Sequence, residues 1–597
     1  MARKRLLLQA GALTGTLALA LTGCGGGSES SSSTASGSSS SGNAAPSGDI
    51  RNPSTTKGGE LKLAATSDFD SLDPARTYYG YGFEFNQRFL TRTLVQFQAK
   101  PGQAGTELAP DLATEVPMGT ENNTVWTYKL KPGLKFEDGS PITSKDIKYG
   151  VERVFASDQI TGGPDYVKCL LTVCDKDGAS PYQGPYKDKA GLDAISTPDD
   201  MTISFKLVKP FADWNYIMNL PGTGPVPEAQ DKGANYQSKP VSSGPYKIVT
   251  YTPGKSLMLD RNPNYDQSTD PVRLALPDTV NVQIGAQPAD IDQQILDNQV
   301  DYAIEDVGVQ SATQARLLNR DGSIQDAFKN RVSTQNTGYL RYLTLQTNVP
   351  PLDNVHCRRA VQFAVNKVDL QNARGGPITG DDIADNSFPP SLAGAPQNAA
   401  ARYPNGADHK GDIEAAKREL AECGQPNGFK TVQASSNTPK SKAVAAATQQ
   451  ALERVGITVE VKSFDAAQYY ASVIGSPSNV KAKGFGIADA GWGPDFPTGY
   501  GFYSQIVDGR KIKPAGNSNY SSLDDPKINQ LIDESLEASS REAFNMKYQE
   551  LDKQLMENAT MVPFVFDRSL AAVSERLKNV YFNQGYGHFD LATMGVQ

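Results

Sequence analysis

The sequence has few of the residues, and none of the short motifs, on which most enzymes depend. Its 597 residues include only three histidines, His356, His409 and His588, although histidine is the commonest general base. The HExxH, GxSxG and GxxxxGK[ST] patterns of metalloproteases, serine hydrolases and phosphate-binding loops are absent. We therefore expect a binding protein rather than an enzyme, with no catalytic residues, no metal and no cofactor.

Positive charge and long apolar runs are also scarce. The formal net charge is −8, and it becomes −11 once residues 1–23 are removed, because that segment carries three basic residues and no acidic ones. This acidity gives no support to a nucleic-acid partner. The longest apolar stretch, residues 6–21, is shorter than the roughly 20 residues of a membrane-spanning helix.

The N-terminus has the layout of a secretory signal. A basic segment, residues 3–5, precedes the apolar stretch. The sequence Leu-Thr-Gly-Cys at residues 21–24 resembles the bacterial lipobox, which implies cleavage before Cys24 and acylation of that cysteine. Two or more acyl chains make a stable membrane anchor. We predict a lipoprotein signal peptide at 1–23 and a lipid anchor at Cys24; the alternative is an ordinary secretory signal with a chance cysteine.

The segment after Cys24 consists mainly of small and polar residues. Residues 24–57 are rich in Gly, Ser, Thr and Ala and show no apolar periodicity, so they cannot offset the entropy of ordering. A Gly/Ser chain of this length spans roughly 30 Å. We predict a disordered tether that holds a folded body at the extracytoplasmic face of the bacterial cell membrane.

Four further cysteines lie in the body, namely Cys169, Cys174, Cys357 and Cys423. Disulfides persist in an exported protein, and four cysteines allow three pairings. Because Cys169 and Cys174 share one short loop, we favour their pairing, which leaves Cys357 with Cys423. A zinc site is the competing interpretation, but the spacing does not match one.

Strand and helix patterns alternate along the body, which indicates an α/β fold. The predicted strands are 59–65, 124–130, 201–207, 246–251, 256–260, 279–284, 431–434, 457–461 and 562–566, and the predicted helices are 144–155, 440–454 and two that begin near Pro526 and Ser540. The strand, helix and strand between 431 and 461 predict a parallel βαβ unit.

Five segments together resemble one known family. They are SDFDSLDPA (67–75), VWTYKLKPGLKFEDGSPITSKDIKYGVERVF (125–155), SSGPYKIVTYTPGKSLMLDRNPNYD (242–266), RRAVQFAVNK (358–367) and GWGPDFPTGYGFY (491–503). In this order they are similar to the signatures of the dipeptide- and oligopeptide-binding family of ABC-transporter solute-binding proteins, family 5. The resemblance implies a periplasmic-binding-protein-like fold of type II, with two lobes joined by hinge strands and an extra subdomain.

The resemblance also implies an organisation and partners. Lobe I is expected at 58–105, 241–336 and 563–597, the subdomain at 106–240 and lobe II at 337–562. A monomer of this kind would close on a peptide in the cleft between its lobes. It would then deliver the peptide to an ABC permease that works with cytoplasmic ATPase subunits.

The segment 491–503 offers the best candidates for ligand binding. It combines Gly491 and the aromatic residues Trp492, Phe496 and Tyr500 with a single carboxylate, Asp495, and aromatic walls with a few polar groups are typical of ligand sites. The resemblance implies that Asp495 pairs with the α-ammonium of a peptide. The alternative is that Asp495 caps the turn before Pro497.

Two other places are candidates for the cleft. Ser243 and Gly244 have small side chains that would let a ligand approach the backbone, or they form a plain loop. Tyr78 and Tyr79 follow the first signature and either face the cleft or pack in the core. Two rival functions also stay open: a receptor for a non-peptide solute such as a nickel chelate or a sugar, and a secreted lipoprotein hydrolase that uses a carboxylate pair.

Overall fold

The computed structural model describes residues 50–597 except 176–177, 306–307, 381, 393, 397–400, 407 and 539. The predicted signal peptide, Cys24 and most of the predicted tether lie outside the described residues. The end of that tether belongs to the folded body: the Arg51 N–H donates to the Val580 carbonyl (2.9 Å), and the Ser54 N–H donates to Asn579 Oδ1 (2.7 Å). The fold therefore begins several residues before 58, because polar backbone contacts, which leave no apolar pattern, order this segment.

The body mixes short and long strands with helices throughout. The strands are β1 (Glu60–Ala65), β2 (Val95–Phe97), β3 (Leu108–Pro110), β4 (Val125–Lys129), β5 (Ile195–Asp199), β6 (Thr202–Lys206), β7 (Tyr246–Thr252), β8 (Ser256–Arg261), β9 (Thr279–Ile284), β10 (Tyr302–Ala303), β11 (Val332–Leu345), β12 (Lys430–Ser436), β13 (Thr458–Phe464), β14 (Phe485–Trp492), β15 (Met561–Ala572), β16 (Leu577–Lys578), β17 (Phe582–Asn583), β18 (His588–Phe589) and β19 (Gly595–Val596). The α-helices are α1 (Gly80–Phe85), α2 (Ser144–Arg153), α3 (Lys168–Leu171), α4 (Trp214–Ile217), α5 (Pro288–Leu296), α6 (Ser311–Leu317), α7 (Val355–Ala364), α8 (Lys367–Arg374), α9 (Gly376–Thr379), α10 (Ile413–Glu422), α11 (Pro439–Glu453), α12 (Ala466–Gln468), α13 (Pro477–Lys483), α14 (Gly499–Tyr503), α15 (Pro526–Leu536) and α16 (Arg541–Asn558). The predicted α/β mixture is thus confirmed.

Two five-stranded sheets form the framework. One has the order β10-β1-β9-β8-β7, and the other has the order β13-β12-β14-β11-β15. In the second sheet β12 and β13 pair in parallel through the helix α11, which confirms the predicted βαβ unit. A separate three-stranded sheet, β4-β6-β5, packs with α2 and carries the alternating apolar residues seen in the sequence.

Side-chain caps lie at the starts of the three helices predicted near residues 144, 526 and 540. The carboxylate of Asp146 accepts from the backbone N–H of Thr143 (2.8 Å) at the start of α2. Asp525 caps α15 next to Pro526, and the Ser540 hydroxyl accepts from the Ala543 N–H at the start of α16 (3.1 Å). Each cap satisfies backbone N–H groups that a helix leaves unpaired.

A buried ion cluster joins two of the segments that carry the family resemblance. Arg153, at the end of α2, donates to both carboxylate oxygens of Asp73 (3.1 and 2.8 Å) and, through Nε, to Asp231 (3.0 Å). Arg153 and Asp73 have no exposed side-chain surface. The loop that follows β1 is therefore fixed to the end of α2.

The strands β11 and β15 are much longer than the others and pair with each other from Val332–Ala572 to Thr344–Met561. The pairing is interrupted at residues 337–339 of β11. Residues 337–339 therefore do not pair with β15. Irregularities of this kind bend a strand. The lobe boundaries expected at 336/337 and 562/563 fall inside these two continuous strands.

Both favoured cysteine pairs are present. Cys169 and Cys174 are disulfide-bonded within one loop, with Cα atoms 5.3 Å apart, and Cys357 of α7 is bonded to Cys423 at the end of α10, with Cα atoms 5.2 Å apart. In the part of the chain that the structure describes, no helix is both long and apolar enough to cross a membrane.

Candidate functional site

A cleft of about 750 Å³, including solvent at its mouth, opens where segments attached to both large sheets meet. Its wall comes from the loop and helix after β1, the interrupted part of β11, the loop after β14 and the C-terminal loop before β18. The lining residues are Tyr78, Gly80, Phe83, Gln87, Phe97, Asn219, Leu220, Thr337, Gly338, Tyr339, Ser391, Leu392, Gly493, Pro494, Asp495, Pro497, Gln584, Gly585, Tyr586 and Gly587.

Asp495 lies in this wall, three residues after β14. Its backbone N–H donates to the Gly501 carbonyl (3.1 Å). Its Oδ2 accepts hydrogen bonds from the hydroxyl of Tyr78 (3.0 Å) and from the hydroxyl of Tyr166. The helix that follows, α14, is capped by Thr498. The partners of the Asp495 carboxylate are thus two tyrosine hydroxyls and not the backbone of the turn.

A second aspartate holds Tyr78 in place. Asp70 accepts from the Thr77 hydroxyl (2.8 Å) and from the backbone N–H groups of Tyr78 (2.5 Å) and Tyr79 (3.2 Å). The backbone of the loop after β1 therefore surrounds the Asp70 carboxylate. These hydrogen bonds orient the Tyr78 ring toward Asp495. Tyr79, in contrast, is 46% exposed and lies outside the lining set.

The electrostatics of Asp495 are unusual for an aspartate. Burial raises its pKa to about 7, although the hydroxyls of Tyr166 and Tyr78 act in the opposite direction. Asp165 raises the same pKa and Lys513 lowers it, but the Lys513 ammonium is bonded to Asp165 (3.0 Å). Since both hydrogen-bond donors are neutral, an ammonium would be a stronger partner for this carboxylate.

The interrupted part of β11 forms a neighbouring part of the wall. Gly338 has a φ of +79°, which a glycine adopts without strain. The ring of Tyr339 lies against Gly493, where a Cβ atom would come within 2.7 Å of it. Two glycines thus allow an aromatic residue to face the cavity next to Asp495.

Phe496 and Tyr500 lie behind this wall rather than in it. They are 1% and 6% exposed. Phe496 stacks on Tyr216 with ring centroids 5.8 Å apart, and Tyr500 packs edge-on to Phe211 at 5.1 Å. Tyr166 contacts both rings. These ring contacts pack the segment after β14 against Phe211 and Tyr216 and hold Tyr166 near Asp495.

Four other candidates also lie outside the lining set. The Trp492 indole N–H donates to the Phe502 carbonyl (2.8 Å), and Gly491 leaves room for Arg341, whose Nη1 would be 2.2 Å from a Cβ atom there. Ser243 accepts from the Arg92 N–H (2.9 Å), and a Cβ on Gly244 would meet the Phe89 carbonyl at 2.5 Å. The small residues 243 and 244 therefore leave room for the protein's own backbone at Phe89 and Arg92.

Comparisons with known proteins agree with this geometry. Residues 107–514 match the model described as "Bacterial extracellular solute-binding proteins, family 5 Middle". This chain belongs to family 5 of the bacterial extracellular solute-binding proteins. The family comprises solute-binding proteins rather than enzymes.

Individual members of family 5 match over most of their length. The "Clavulanic acid biosynthesis oligopeptide binding protein 2" is 41% identical, with a TM-score of 0.87 over 93% of this chain and 98% of that one. The "Probable D,D-dipeptide-binding periplasmic protein DdpA" of Escherichia coli K12 is 23% identical over 88% of this chain and 91% of its own. A Helicobacter pylori periplasmic binding protein, DppA in complex with the peptide STSA, is 21% identical with a TM-score of 0.71 over 91% and 99% of the two chains, and shares the fold. The expected type II periplasmic-binding-protein fold is confirmed.

Sequence reasoning missed several residues that build this family 5 cleft. Tyr166 comes from a loop without a motif, Tyr339 comes from the interrupted middle of β11, and Gln584 and Tyr586 come from a loop near the C-terminus. The glycines next to Tyr339 and Tyr586 were the available signal, since glycine is favoured where a backbone closely approaches a ligand. Among the described residues, no group of three or more His, Cys, Asp or Glu side chains is arranged to hold a metal ion.

Proposed function

We propose that this protein is the receptor of an ABC importer, that it binds a peptide in the cleft, and that Asp495 holds the peptide's α-ammonium group. The position of the Asp495 carboxylate carries the proposal: it lies in the cavity wall with two neutral hydroxyl donors and a raised pKa. An ammonium taken out of water requires a charged acceptor. The names of the relatives, which include oligopeptide and dipeptide binders, support a peptide as the ligand.

The remainder of the peptide would lie along the cavity in an extended conformation. Such peptides are bound mainly through backbone hydrogen bonds, with side chains in separate pockets. The wall offers polar groups for this purpose in Gln87, Asn219 and Gln584, next to the rings of Tyr339 and Tyr586. Affinity would therefore depend more on the peptide backbone than on particular side chains.

Closure would use the two long strands as a hinge. The strands β11 and β15 run through both predicted lobe boundaries and are interrupted at residues 337–339, and hinges commonly lie at such irregular positions. Asp495 belongs to predicted lobe II, whereas Tyr78 belongs to predicted lobe I and Tyr166 to the subdomain. A ligand that contacts both sides stabilises the closed form by its differential affinity.

The same proposal includes the membrane anchor. Acylated Cys24 and the tether that follows would keep the receptor close to the permease at the extracytoplasmic face of the membrane. Replacing Cys24 by serine should release the protein from the membrane fraction into the medium or periplasm, and the intact mass of the wild-type chain should show the added acyl groups. A Cys24→Ser protein that stays in the membrane fraction would contradict the anchor.

The ligand itself can be identified directly. The full chain, extracted in a mild detergent with its disulfides intact, is analysed by native mass spectrometry and then denatured to release whatever is bound. We expect intact peptides of a few residues, and their loss from an Asp495→Asn variant purified in the same way. A single non-peptide compound would overturn the peptide assignment, and cleaved products from an added peptide would indicate a hydrolase.

A further inference from the structure

A second cavity lies next to the cleft and is larger than it. Its volume is about 1380 Å³ with the solvent at its mouth, against about 750 Å³ for the cleft. The two adjoin at Tyr166, whose hydroxyl donates to Asp495 in the wall of the cleft and which also lines the second cavity. One side of this cavity comes from residues 165–175, 178 and 208–209 of the predicted subdomain, and the other comes from residues 500–513 and α15 of predicted lobe II.

Charged side chains of both signs line the second cavity, and some of them neutralise each other. The cations are Lys168, Lys209, Arg510, Lys511 and Lys513, and the carboxylates are Asp165, Asp175, Asp508 and Asp533. Arg510 donates to both oxygens of Asp508 (2.8 and 3.0 Å) and to Asp533 (2.7 Å). The Lys513 ammonium donates to Asp165 (3.0 Å). Two of the five cations thus bind three of the four carboxylates.

The other three cations face the cavity without a carboxylate partner. Among the described residues, no ion pair involves Lys168, Lys209 or Lys511. The Lys168 ammonium donates to the hydroxyl of Ser157 (2.7 Å). Burial lowers the pKa of both Lys168 and Lys209, and the positive charge of Lys511 lowers each of them further. Lys511 therefore lies near the other two ammonium groups, and an anion bound among them would relieve their repulsion.

The uncharged part of the lining is largely apolar. Leu170, Ile532 and Leu536 are buried at this cavity, whereas Val173 and Val208 are 76% and 44% exposed there. A ligand that covers exposed aliphatic side chains gains free energy from the apolar area it removes from water. A carboxylate gains charge-assisted hydrogen bonds from ammonium groups. The lining therefore fits a ligand with an apolar body and a negatively charged end.

We propose that this second cavity binds a carboxylate carried by an apolar group, with the ammonium groups of Lys168, Lys209 and Lys511 as its counter-ions. The site goes beyond the proposed function, because it does not involve Asp495. The carboxylate belongs either to a peptide that extends from the cleft or to an independent solute. Lys209 comes from one side of the cavity and Lys511 from the other, so a bound anion would stabilise the arrangement in which the two sides lie together.

The test uses a probe that has the carboxylate but no amino group. N-acetyl-4-fluorophenylalanine and its uncharged C-terminal amide share one apolar body, and fluorine NMR measures their binding to the full chain in mild detergent at constant ionic strength. We expect the acid to bind at least about tenfold more tightly than the amide, as for one or more charge-assisted hydrogen bonds. Lys209→Gln and Lys511→Gln should each weaken binding of the acid about tenfold and leave the amide unchanged.

Two further variants serve as controls. Lys511→Arg retains the charge and should bind the acid within about threefold of the wild type. Lys189→Gln should leave both affinities unchanged, because Lys189 lies near Glu228 on the surface (3.8 Å) and outside the cavity lining. No binding of the acid, equal binding of acid and amide, or binding of the acid that both glutamine variants leave unchanged would overturn the inference.

A competition experiment identifies the source of the carboxylate and separates this inference from the proposed function. Trialanine with a free or an amidated C-terminus is added to the complex with the probe. Displacement by the free acid alone, lost in Asp495→Asn, would support the site and assign the carboxylate to a peptide that extends from the cleft. A probe that stays bound beside trialanine would support the site and assign an independent anionic solute. If trialanine does not bind, the peptide assignment loses its support, while the probe still decides the anion site.

Discussion

Asp495 and Asp567 are two aspartates whose carboxyl groups are affected by burial in the same way but have different hydrogen-bond partners. Burial acts on both to raise the pKa. At Asp567 the guanidinium groups of Arg341 and Arg374 outweigh burial and hold the pKa at about 2. At Asp495 two tyrosine hydroxyls do not, and the pKa rises to about 7.

The difference indicates what each carboxylate is for. Asp567 lies on β15 and is bonded to Arg341 on β11 and to Arg374 at the end of α8, so the protein itself neutralises it and uses it to join three elements. Asp495 faces the cavity with only neutral donors. Because strongly perturbed carboxyl groups in clefts are often functional, Asp495 is the carboxylate for which we propose a ligand as the counter-ion.

The largest effect is expected from neutralising the carboxylate that the protein has already paired. Asp567→Asn leaves two largely buried guanidinium groups without their shared counter-ion, and breaking such a cluster costs about 3–5 kcal/mol. Denaturant unfolding should show this loss in the free energy of unfolding. Asp326→Asn, at a surface pair with Lys329, serves as the control and should leave the midpoint unchanged. An Asp567→Asn protein of wild-type stability would show that the cluster does not hold β11 and β15 together.

The second largest effect is expected on peptide binding and not on stability. Asp495→Asn should weaken peptide binding about 100-fold or more, in the range measured for a removed partner of a buried charge pair, without destabilising the fold. A carboxyl whose folded-state pKa is raised stabilises the protein below its unfolded-state pKa, and this contribution is lost as the pH rises through about 7. At pH 8 the ligand-free Asn variant should therefore unfold at an equal or higher denaturant concentration than the wild type. A loss of stability equal to that of Asp567→Asn would make Asp495 a structural residue.

How far the sequence predicts this site depends on where its residues lie in the chain. Asp495 lies within one recognisable signature and Tyr78 follows another, and both line the cavity. Phe496 and Tyr500 share the composition of a ligand-binding segment, but they pack against Phe211 and Tyr216, because an aromatic residue looks the same in sequence whether it contacts a ligand or another domain.

The fold was more predictable than the cleft. The limits of the strand at 279–284 follow from local periodicity, and the starts of α2, α15 and α16 follow from periodicity together with capping residues. In contrast, Tyr166 reaches Asp495 across more than 300 positions of sequence, and the pairing of β11 with β15 joins segments that are more than 200 positions apart. No local sequence pattern predicts these long-range contacts, because they depend on how distant parts of the chain pack together.

The third prediction concerns pH. If the peptide's ammonium binds only the ionised Asp495, affinity should fall about tenfold per unit as the pH drops below about 7, and roughly 100-fold by pH 5. Three titratable groups that face Asp495 do not change charge in this range, because Asp165 has a pKa of about 2 and burial raises the pKa values of the Tyr78 and Tyr166 hydroxyls. Titration calorimetry between pH 5 and 8 measures the profile, and the Asp495→Asn variant should give a flat one. A flat profile in the wild type would mean that Asp495 carries no proton in the free cleft.

The smallest effect is expected from removing one hydroxyl donor. Tyr166→Phe takes away a hydrogen bond that lowers the Asp495 pKa, so the midpoint of the pH profile should move upward by less than about one unit, with an affinity at pH 8 within about threefold of the wild type. The packing of the ring against Phe496 and Tyr500 is retained. Tyr149→Phe is the matched control, because that hydroxyl bonds to Asp231 (2.9 Å), outside the cleft, and the variant should leave the midpoint in place. A downward shift in Tyr166→Phe would mean that the hydroxyl stabilises the protonated carboxyl, and the ligand would then have to displace Tyr166 before Asp495 could bind a cation.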